Sequence, residues 1–337
     1  MGEVDPAFVQ ELEHRPKLGI IAAEGIPIID LSTLSSSDAT PDRSQALEGL
    51  VKQVGNACRD WGFFQVINHG VSLEKREKIF NASKKFFAQP LEEKNKIRRD
   101  DKGALGYYDT EHTKNVRDWK EYPPAFLLRE ICEDYAKEME RLAFKLMELI
   151  ALSLGLGPDR FHGFFKDQTS AIRLNHYPPC PFPHLALGVG RHKDPGGLTI
   201  LAQDDVGGLE VKRKSDGEWT WVNPTPNSYT INVGDIIQVW SNDAYESVEH
   251  RVKVNPEKER FSIPYFFGPA HYAIVKPLEE IVNEQNPAKF RPYNWAEFMA
   301  NRKRSNFQKL DVENLQISHF RTSKLADKLE GALSINN

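Results

Sequence analysis

His192-Lys193-Asp194-Pro195-Gly196-Gly197-Leu198-Thr199-Ile200-Leu201 reads as the end of one strand, a proline–glycine turn and the start of another. Outward from it, residues 170–270 are a succession of short β-rich runs punctuated by Pro-Pro, Pro-Gly-Gly, Gly-Gly, Asp-Gly and Gly-Asp. Runs at 171–176, 198–203, 208–213, 219–222, 229–233, 236–240, 247–254 and 260–267 are each expected to be strands. Strands at that spacing suit a jelly roll or barrel, an antiparallel container with a mouth that holds a ligand.

The flanks are patterned differently. Residues 1–24 are polar and expected to form a short helix or arm; Ile26-Pro27-Ile28-Ile29-Asp30 reads as a first strand, with Pro27 marking a sheet edge. Leu47, Leu50, Val51, Val54, Ala57 and Cys58 predict a helix over 42–61 that ends at Gly62. A strand follows over Phe63–Ile67, then a turn at His69-Gly70, then a helix capped by Ser72 that carries Leu73, Phe80 and Phe87. A longer helix over 129–154 stops at Gly155-Leu156-Gly157-Pro158. After Pro277 two more helices are expected, around 278–284 and 295–304. The chain is therefore expected to be mainly β with flanking α. One compound domain would comprise a mostly helical region over 1–168, a β core over 169–270 and a C-terminal helical extension over 271–337.

Composition sets bounds. The 337 residues carry a net charge of −4, which gives no electrostatic case for nucleic acid or an anionic membrane as partner. Cys58, Cys132 and Cys180 are odd in number and far apart, which argues against a disulfide framework and favours a reducing, cytoplasmic setting. The sequence shows no signal-peptide pattern and no apolar run of membrane-spanning length.

Three clusters carry chemistry. His192 and Asp194 stand at i and i+2, so an extended backbone turns both to one face. His250 follows in Ser247-Val248-Glu249-His250-Arg251-Val252, an alternating run in which it can share a face with Val248 and Val252. Two imidazoles and one carboxylate with coordination positions left open match the facial triad that holds Fe(II) in non-haem oxygenases. Arg260-Phe261-Ser262 sets a guanidinium fork beside a hydroxyl on one strand face, a receptor for a carboxylate; a structural ion pair to some Asp or Glu is the alternative. Asn175-His176-Tyr177 presents an amide and a phenol on one face before the rigid turn Pro178-Pro179.

These stretches together resemble the plant 2-oxoglutarate- and Fe(II)-dependent dioxygenases, the family of flavonol synthase, anthocyanidin synthase and the gibberellin oxidases. The resemblance runs from Ile26–Leu31 through Trp61–Gly70 to the C-terminal helices and is most specific at 175–181, 187–211 and 247–262. It implies a double-stranded β-helix (jelly-roll) core and iron held by His192, Asp194 and His250. It further implies that Arg260 and Ser262 grip the distal carboxylate of 2-oxoglutarate with Tyr177 assisting, and that Asn175 lies near the chelating end. The cofactors implied are Fe(II), 2-oxoglutarate as cosubstrate, O2, and ascorbate as reductant. The reaction implied is oxidation of a small hydrophobic metabolite or hormone, above all by hydroxylation, with desaturation and demethylation as other outcomes and succinate and CO2 as coproducts. The chain is expected to be a monomer. Matching the family pattern places Tyr122, Arg173, Phe266 and Gly268 near the substrate, with Tyr107 and Pro124 further out.

The chain departs from the family pattern in places. His176 replaces a common tyrosine and Lys193 a small residue; both are expected to face away from the site. Gly268 stands where flavonoid-oxidising members carry an acidic residue, and Pro123-Pro124 replaces an aromatic pair. Trp119, Tyr122, Trp240, Tyr245, Phe266 and Phe267 are candidates for apolar lining, and His69 is expected to serve its turn. Two other readings stay open from the residues: an iron oxidase of the same fold that does not use 2-oxoglutarate, and a β container without turnover.

Overall fold

The computed structural model describes residues 3–17, 25–35, 41–99, 106–123, 128–307 and 315–322. In chain order the first half contributes β1 (Ile28–Asp30), α1 (Pro41–Asp60), β2 (Phe63–Ile67), α2 (Leu73–Phe87), α3 (Leu91–Asn95), β3 (His112–Thr113), β4 (Val116–Arg117) and α4 (Arg129–Ser153). The second contributes β5 (Ala171–Ile172), β6 (Asn175–Tyr177), β7 (Leu187–His192), β8 (Leu198–Gln203), β9 (Leu209–Lys212), β10 (Trp219–Trp221), β11 (Tyr229–Val233), α5 (Asp235–Trp240), β12 (His250–Lys253) and β13 (Arg260–Phe267). The short pair β14 (Ile274–Val275) and β15 (Tyr293–Asn294) then leads into α6 (Trp295–Phe307).

Two sheets make the container. The larger runs β1-β2-β11-β8-β13-β5, with β6 also on β13, and the smaller runs β10-β9-β12-β7. Period-two alternation assigns each strand two faces. On the larger sheet Phe64, Val66, Ile200, Ala202, Ile231, Ile263 and Phe267 point outward into one continuous apolar core with Leu142, Leu146, Met147 and Ile150 of α4 and Val54 and Ala57 of α1. The opposite face is the interior, where Phe63, Tyr177, Val189, Leu209, Val211 and Val252 from both sheets meet in a second apolar cluster. Because β2 pairs with β11, the N-terminal region supplies strands to the same sheet as the β core.

The arm at the start of the described chain makes two short 3-10 turns, Pro6–Phe8 and Leu12–His14, and lies across the smaller sheet. There the His14 carbonyl accepts from Arg251 at 3.3 Å and the Lys17 carbonyl from Lys253 at 2.8 Å. Ser72 caps α2 as expected, its hydroxyl accepting from the Lys75 amide at 3.4 Å. The buried face of that helix is Ile79, Ser83, Phe86 and Phe87, while Leu73 is exposed. All three cysteines are buried and unpaired; burial pushes the Cys132 thiol up to about 11. No helix among the described residues is long and apolar enough to cross a membrane.

Two expected elements differ. Residues 236–240 are not a strand but lie in the helix α5, buried throughout. A short apolar run carries no usable period, and here tertiary contacts decide. The amides of Gly234, Asp235 and Ile236 donate to the carbonyls of Gly197, Asp194 and Gly196 at 2.9, 2.8 and 3.1 Å, so the preceding turn occupies donors that a sheet would need. Trp240 stacks between Phe161 and Phe164 at 5.1 and 4.5 Å. Gly234 is required at this crossing, because a Cβ there would run into the Gly196 carbonyl oxygen. Residues 278–284 form turns rather than a helix: the Asn283 side chain accepts from the amides of Gln285 and Asn286 at 3.0 and 2.9 Å, a local competitor for helical bonding. The run 171–176 is interrupted at Arg173-Leu174, which gives β5 and β6.

Candidate active site

Pairing of β7 with β12 sets His192 and His250 opposite each other in register, and the turn after β7 returns Asp194 to the same end of the container. One ligand atom from each of the three residues lies within 4.8 Å of the other two, and the imidazole centroids are 4.2 Å apart. The Nδ1 atom of His192 is 2.9 Å from the Gly190 carbonyl, and that of His250 is 3.3 Å from the Val248 carbonyl. A carbonyl only accepts, so each Nδ1 is the donor, and in a neutral imidazole that tautomer leaves the lone pair on Nε2. Both Nε2 atoms face Asp194, at 3.5 Å from Oδ1 for His192 and 3.7 Å from Oδ2 for His250.

Protonation states suit a cation. Burial favours the neutral form of Asp194, but the two imidazoles and the Thr199 hydroxyl outweigh it and hold the carboxyl well below the usual range. Burial, reinforced by His192, lowers His250 to about 4, so its imidazole is neutral at physiological pH. Thr199 Oγ1 and Asn232 Nδ2 donate to Asp194 Oδ2 at 2.6 and 2.9 Å and fix the carboxylate plane. Sequence reading missed both; their one signal was a polar side chain at an inward position of a strand whose outward face is apolar, a signal Gln203 and Thr230 share. Hydrogen-bond partners of this kind change metal affinity by about 10–100-fold. Thr199→Val is therefore expected to weaken Co(II) or Fe(II) binding by at least about tenfold, as read from the metal dissociation constant.

The second cluster lies on the interior face where β6, β13 and β8 meet. Arg260 stands opposite Tyr177, and Ser262 opposite both Asn175 and Gln203. Ser262 Oγ is 3.5 Å from both Asn175 Nδ2 and the Tyr177 hydroxyl. The Arg260 guanidinium packs 4.9 Å from the Tyr177 ring centroid and donates through Nη2 to Gln203 Oε1 at 3.1 Å. Gly188 makes room for that ring: a Cβ there would sit 2.6 Å from Tyr177 Cδ1. Arg260 is only 2% exposed, yet its Nε and Nη1, together with Gln203 Nε2, have no hydrogen-bond partner among the described residues. A buried cation with free donors is costly unless an anion fills the place, and a carboxylate fits the fork. The expected alternative, a direct ion pair at Arg260, is not found among the described residues, although the guanidinium is near enough to Asp204 for its charge to act on that carboxyl. Gln203 is the member of this cluster that sequence reading missed.

Of the expected substrate residues, Tyr122, Arg173 and Phe266 come together. The Arg173 guanidinium lies 4.9 Å from the Tyr122 ring and 5.7 Å from that of Phe266, with Nη1 on Glu111 at 3.0 Å. Glu111 also pairs with Lys120, which reaches Asp118 at 3.1 Å, so two cations and two carboxylates share one cluster, buried except at the half-buried Arg173. Gly268 is enclosed by Thr169 and Trp295, 3.0 and 3.4 Å from where a Cβ would be. Pro124 lies outside the described residues.

Tyr107 faces away from this group. Tyr108 pairs with Tyr122 across an antiparallel bridge, which turns Tyr107 to the far side, where its hydroxyl bonds Glu121 and its ring joins Phe86, Phe87 and Phe261. Trp240, Tyr245 and Phe267 likewise pack in the outer helical core rather than lining the interior. His176 faces outward as expected, its Nδ1 2.7 Å from Glu121 and its Nε2 2.9 Å from Glu259. Lys193 points out to Glu246, 3.6 Å away. His69 serves its turn, accepting from the Val71 amide at 3.1 Å and lying 2.9 Å from the Asn227 carbonyl.

Glu121 gives a test of the outward layer. Burial raises its carboxyl, but bonds from His176, Lys94 and Tyr107 outweigh that and bring it from 4.5 to about 2. A depressed carboxylate contributes its full stability above the unfolded value near 4.5 and loses it as pH falls toward about 2. Glu121→Gln is expected to lower Tm at neutral pH and to flatten the fall in Tm across that acid window. A Tm–pH curve parallel to that of the parent would sink this assignment.

Comparison with known proteins agrees with this architecture. The 2OG-Fe(II) oxygenase superfamily pattern matches residues 168–269, and the N-terminal pattern of the non-haem dioxygenase in morphine synthesis matches residues 26–125. Protein lateral branching oxidoreductase 1 of Arabidopsis thaliana is 38% identical over 295 residues, covering 81% of this chain and 79% of that one. Jasmonate-induced oxygenase 3 of the same plant is 37% identical over 316 residues, covering 86% and 85%. The crystal structure of JOX2 in complex with 2OG, Fe and JA matches with a TM-score of 0.77 and 33% identity over 89% of each chain. The crystal structure of the dioxygenase for auxin oxidation in rice matches with a TM-score of 0.69 and 26% identity, covering 88% of this chain and 100% of that one. With identity and coverage of this extent, the chain belongs to the 2OG-Fe(II) oxygenase superfamily and is a 2-oxoglutarate-dependent dioxygenase of the plant type.

Proposed function

We propose that His192, Asp194 and His250 hold the Fe(II) of this dioxygenase, and that Arg260 and Ser262, with Tyr177 and Asn175 beside them, hold its 2-oxoglutarate. The observation that carries this reading is the Arg260 guanidinium, buried with two nitrogens unpartnered among the described residues, in the same container as the His–Asp–His cluster. Bound together with O2, the two cofactors supply the oxidising power that takes hydrogen from a substrate C–H bond, releasing succinate and CO2.

The protein's part is positioning and exclusion of water. Thr199 and Asn232 hold the Asp194 carboxylate ionised and oriented, while Gly190 and Val248 keep both imidazoles in the tautomer that offers Nε2. Gln203 steers the guanidinium from one edge, and the Tyr177 ring covers its face. The apolar interior lined by Phe63, Val189, Val211 and Val252 keeps water from the space between the two clusters.

For the substrate, the reading is hydroxylation of a small hydrophobic plant metabolite or hormone against Tyr122, Arg173 and Phe266. Relatives named for jasmonate, lateral branching and flavanone chemistry support that class. Arg173 is engaged by Glu111 and covered by two aromatic rings, which favours a flat or apolar substrate body at this wall. A monomer in the cytoplasm, with ascorbate as reductant, completes the proposal; the three unpaired buried cysteines support a reducing compartment.

The test needs no substrate. Fe(II) is added to metal-free protein without oxygen, 2-oxoglutarate is titrated, and the weak visible charge-transfer band of a chelated keto acid is followed. A saturating band is expected, after which candidate metabolites are screened for stimulated succinate formation. Iron binding without the band would favour an oxidase that grips another carboxylate, and no binding at all would leave a container without turnover.

A further inference from the structure

The turn that carries Asp194 is held from outside the sheets. Its carbonyls are taken one after another: Lys193 by Arg302, Asp194 by the Asp235 amide at 2.8 Å, Gly196 by the Ile236 amide at 3.1 Å and Gly197 by the Gly234 amide at 2.9 Å. Three of the four donors are backbone amides at the start of α5. The fourth is a side chain from α6, more than 100 residues further along the chain than the carbonyl it holds (|i−j| = 109). Arg302 also donates through Nη1 to Asp235 Oδ2 at 2.9 Å, with both side chains buried and the Phe298 ring 5.8 Å from the guanidinium. One guanidinium thus bridges the residue between two candidate iron ligands and the helix that braces the turn from the other side.

We propose that Arg302 is a positioning residue for the iron site: it fixes the peptide between His192 and Asp194, so that metal affinity depends on the docking of α6. The inference rests on the assignment of His192 and Asp194 as iron ligands. Rotating the peptide that follows Lys193 swings the Asp194 side chain relative to His192. The carbonyls on either side of Asp194 are pinned by different elements, Arg302 of α6 and the α5 N-terminus. A planar fork satisfies the Lys193 carbonyl and the Asp235 carboxylate together, which a single ammonium cannot do with the same geometry.

The experiment is anaerobic Co(II) titration of the full-length metal-free chain, recording the dissociation constant and the ligand-field spectrum, with Tm measured in parallel. R302K keeps the charge and its pairing with Asp235 but loses the fork. D235N/R302M removes the buried charge pair, so that stability is not lost to an unpaired carboxylate. Both are expected to weaken Co(II) binding by about tenfold or more, the range for partners that orient metal ligands, and to alter the spectrum. That loss should appear in R302K even where its Tm equals the parent's. Parental Co(II) affinity and spectrum in R302K, or in the double variant if R302K does not fold, would reduce Arg302 to a stabilising ion pair and overturn the inference. Failure of the parent chain to bind Co(II) would instead remove the iron-ligand assignment, and this inference with it.

Discussion

Asp194→Ala is expected to abolish 2-oxoglutarate turnover and to lower Fe(II) or Co(II) affinity by more than roughly 100-fold, beyond what losing an orienting hydrogen bond does. Two neutral imidazoles remain after the change, but the only anion of the trio is gone. The Thr199 hydroxyl and Asn232 amide that bonded it are left pointing at a void. The fold should persist, because Asp194 is held by groups at one end of the container and takes no part in the apolar core. Circular dichroism and Tm check the fold, and metal titration with succinate release checks the site. Parental 2-oxoglutarate consumption by Asp194→Ala would refute the metal assignment.

For Arg260→Met two results are expected that point in opposite directions. Cosubstrate binding should weaken by about 2–5 kcal/mol, the loss that follows truncation of one partner of a desolvated charge pair. The stability of the protein without cosubstrate should hold or rise, since Arg260 is a buried cation that among the described residues makes no direct ion pair and feels a carboxylate only at longer range, from Asp204. The rise in Tm that 2-oxoglutarate gives the parent through mass action should vanish in the variant. Isothermal titration with 2-oxoglutarate and thermal melts with and without it read both effects. An unchanged dissociation constant would remove Arg260 from the clamp; a large fall in cosubstrate-free Tm would mean that Arg260 is structural.

Much of the container was legible because its rules are local. Strands at 229–233 and 260–267 have the expected bounds, each a run of β-favouring residues. Asn175 with Tyr177 and Arg260 with Ser262 share a face because extended side chains alternate, and β6 then pairs with β13 so that the two sets meet. The same rule sent His176 and Phe261 outward together, where their rings lie 4.7 Å apart. Tyr107 went wrong on the same ground: sequence could not say which face of an irregular segment would meet the sheet, and the bridge of Tyr108 to Tyr122 decided it.

The chain by itself determined a β container between helices and the residues able to hold a divalent metal and a carboxylate, because period-two alternation and residue chemistry act within a few positions. Only the tertiary structure decided that 235–240 is helical, that Thr199, Asn232 and Gln203 complete the two clusters, and that α6 reaches the ligand turn through Arg302. Each of those outcomes depends on which donor from a distant part of the chain arrives beside a buried acceptor, and that meeting has no period to be read in the sequence.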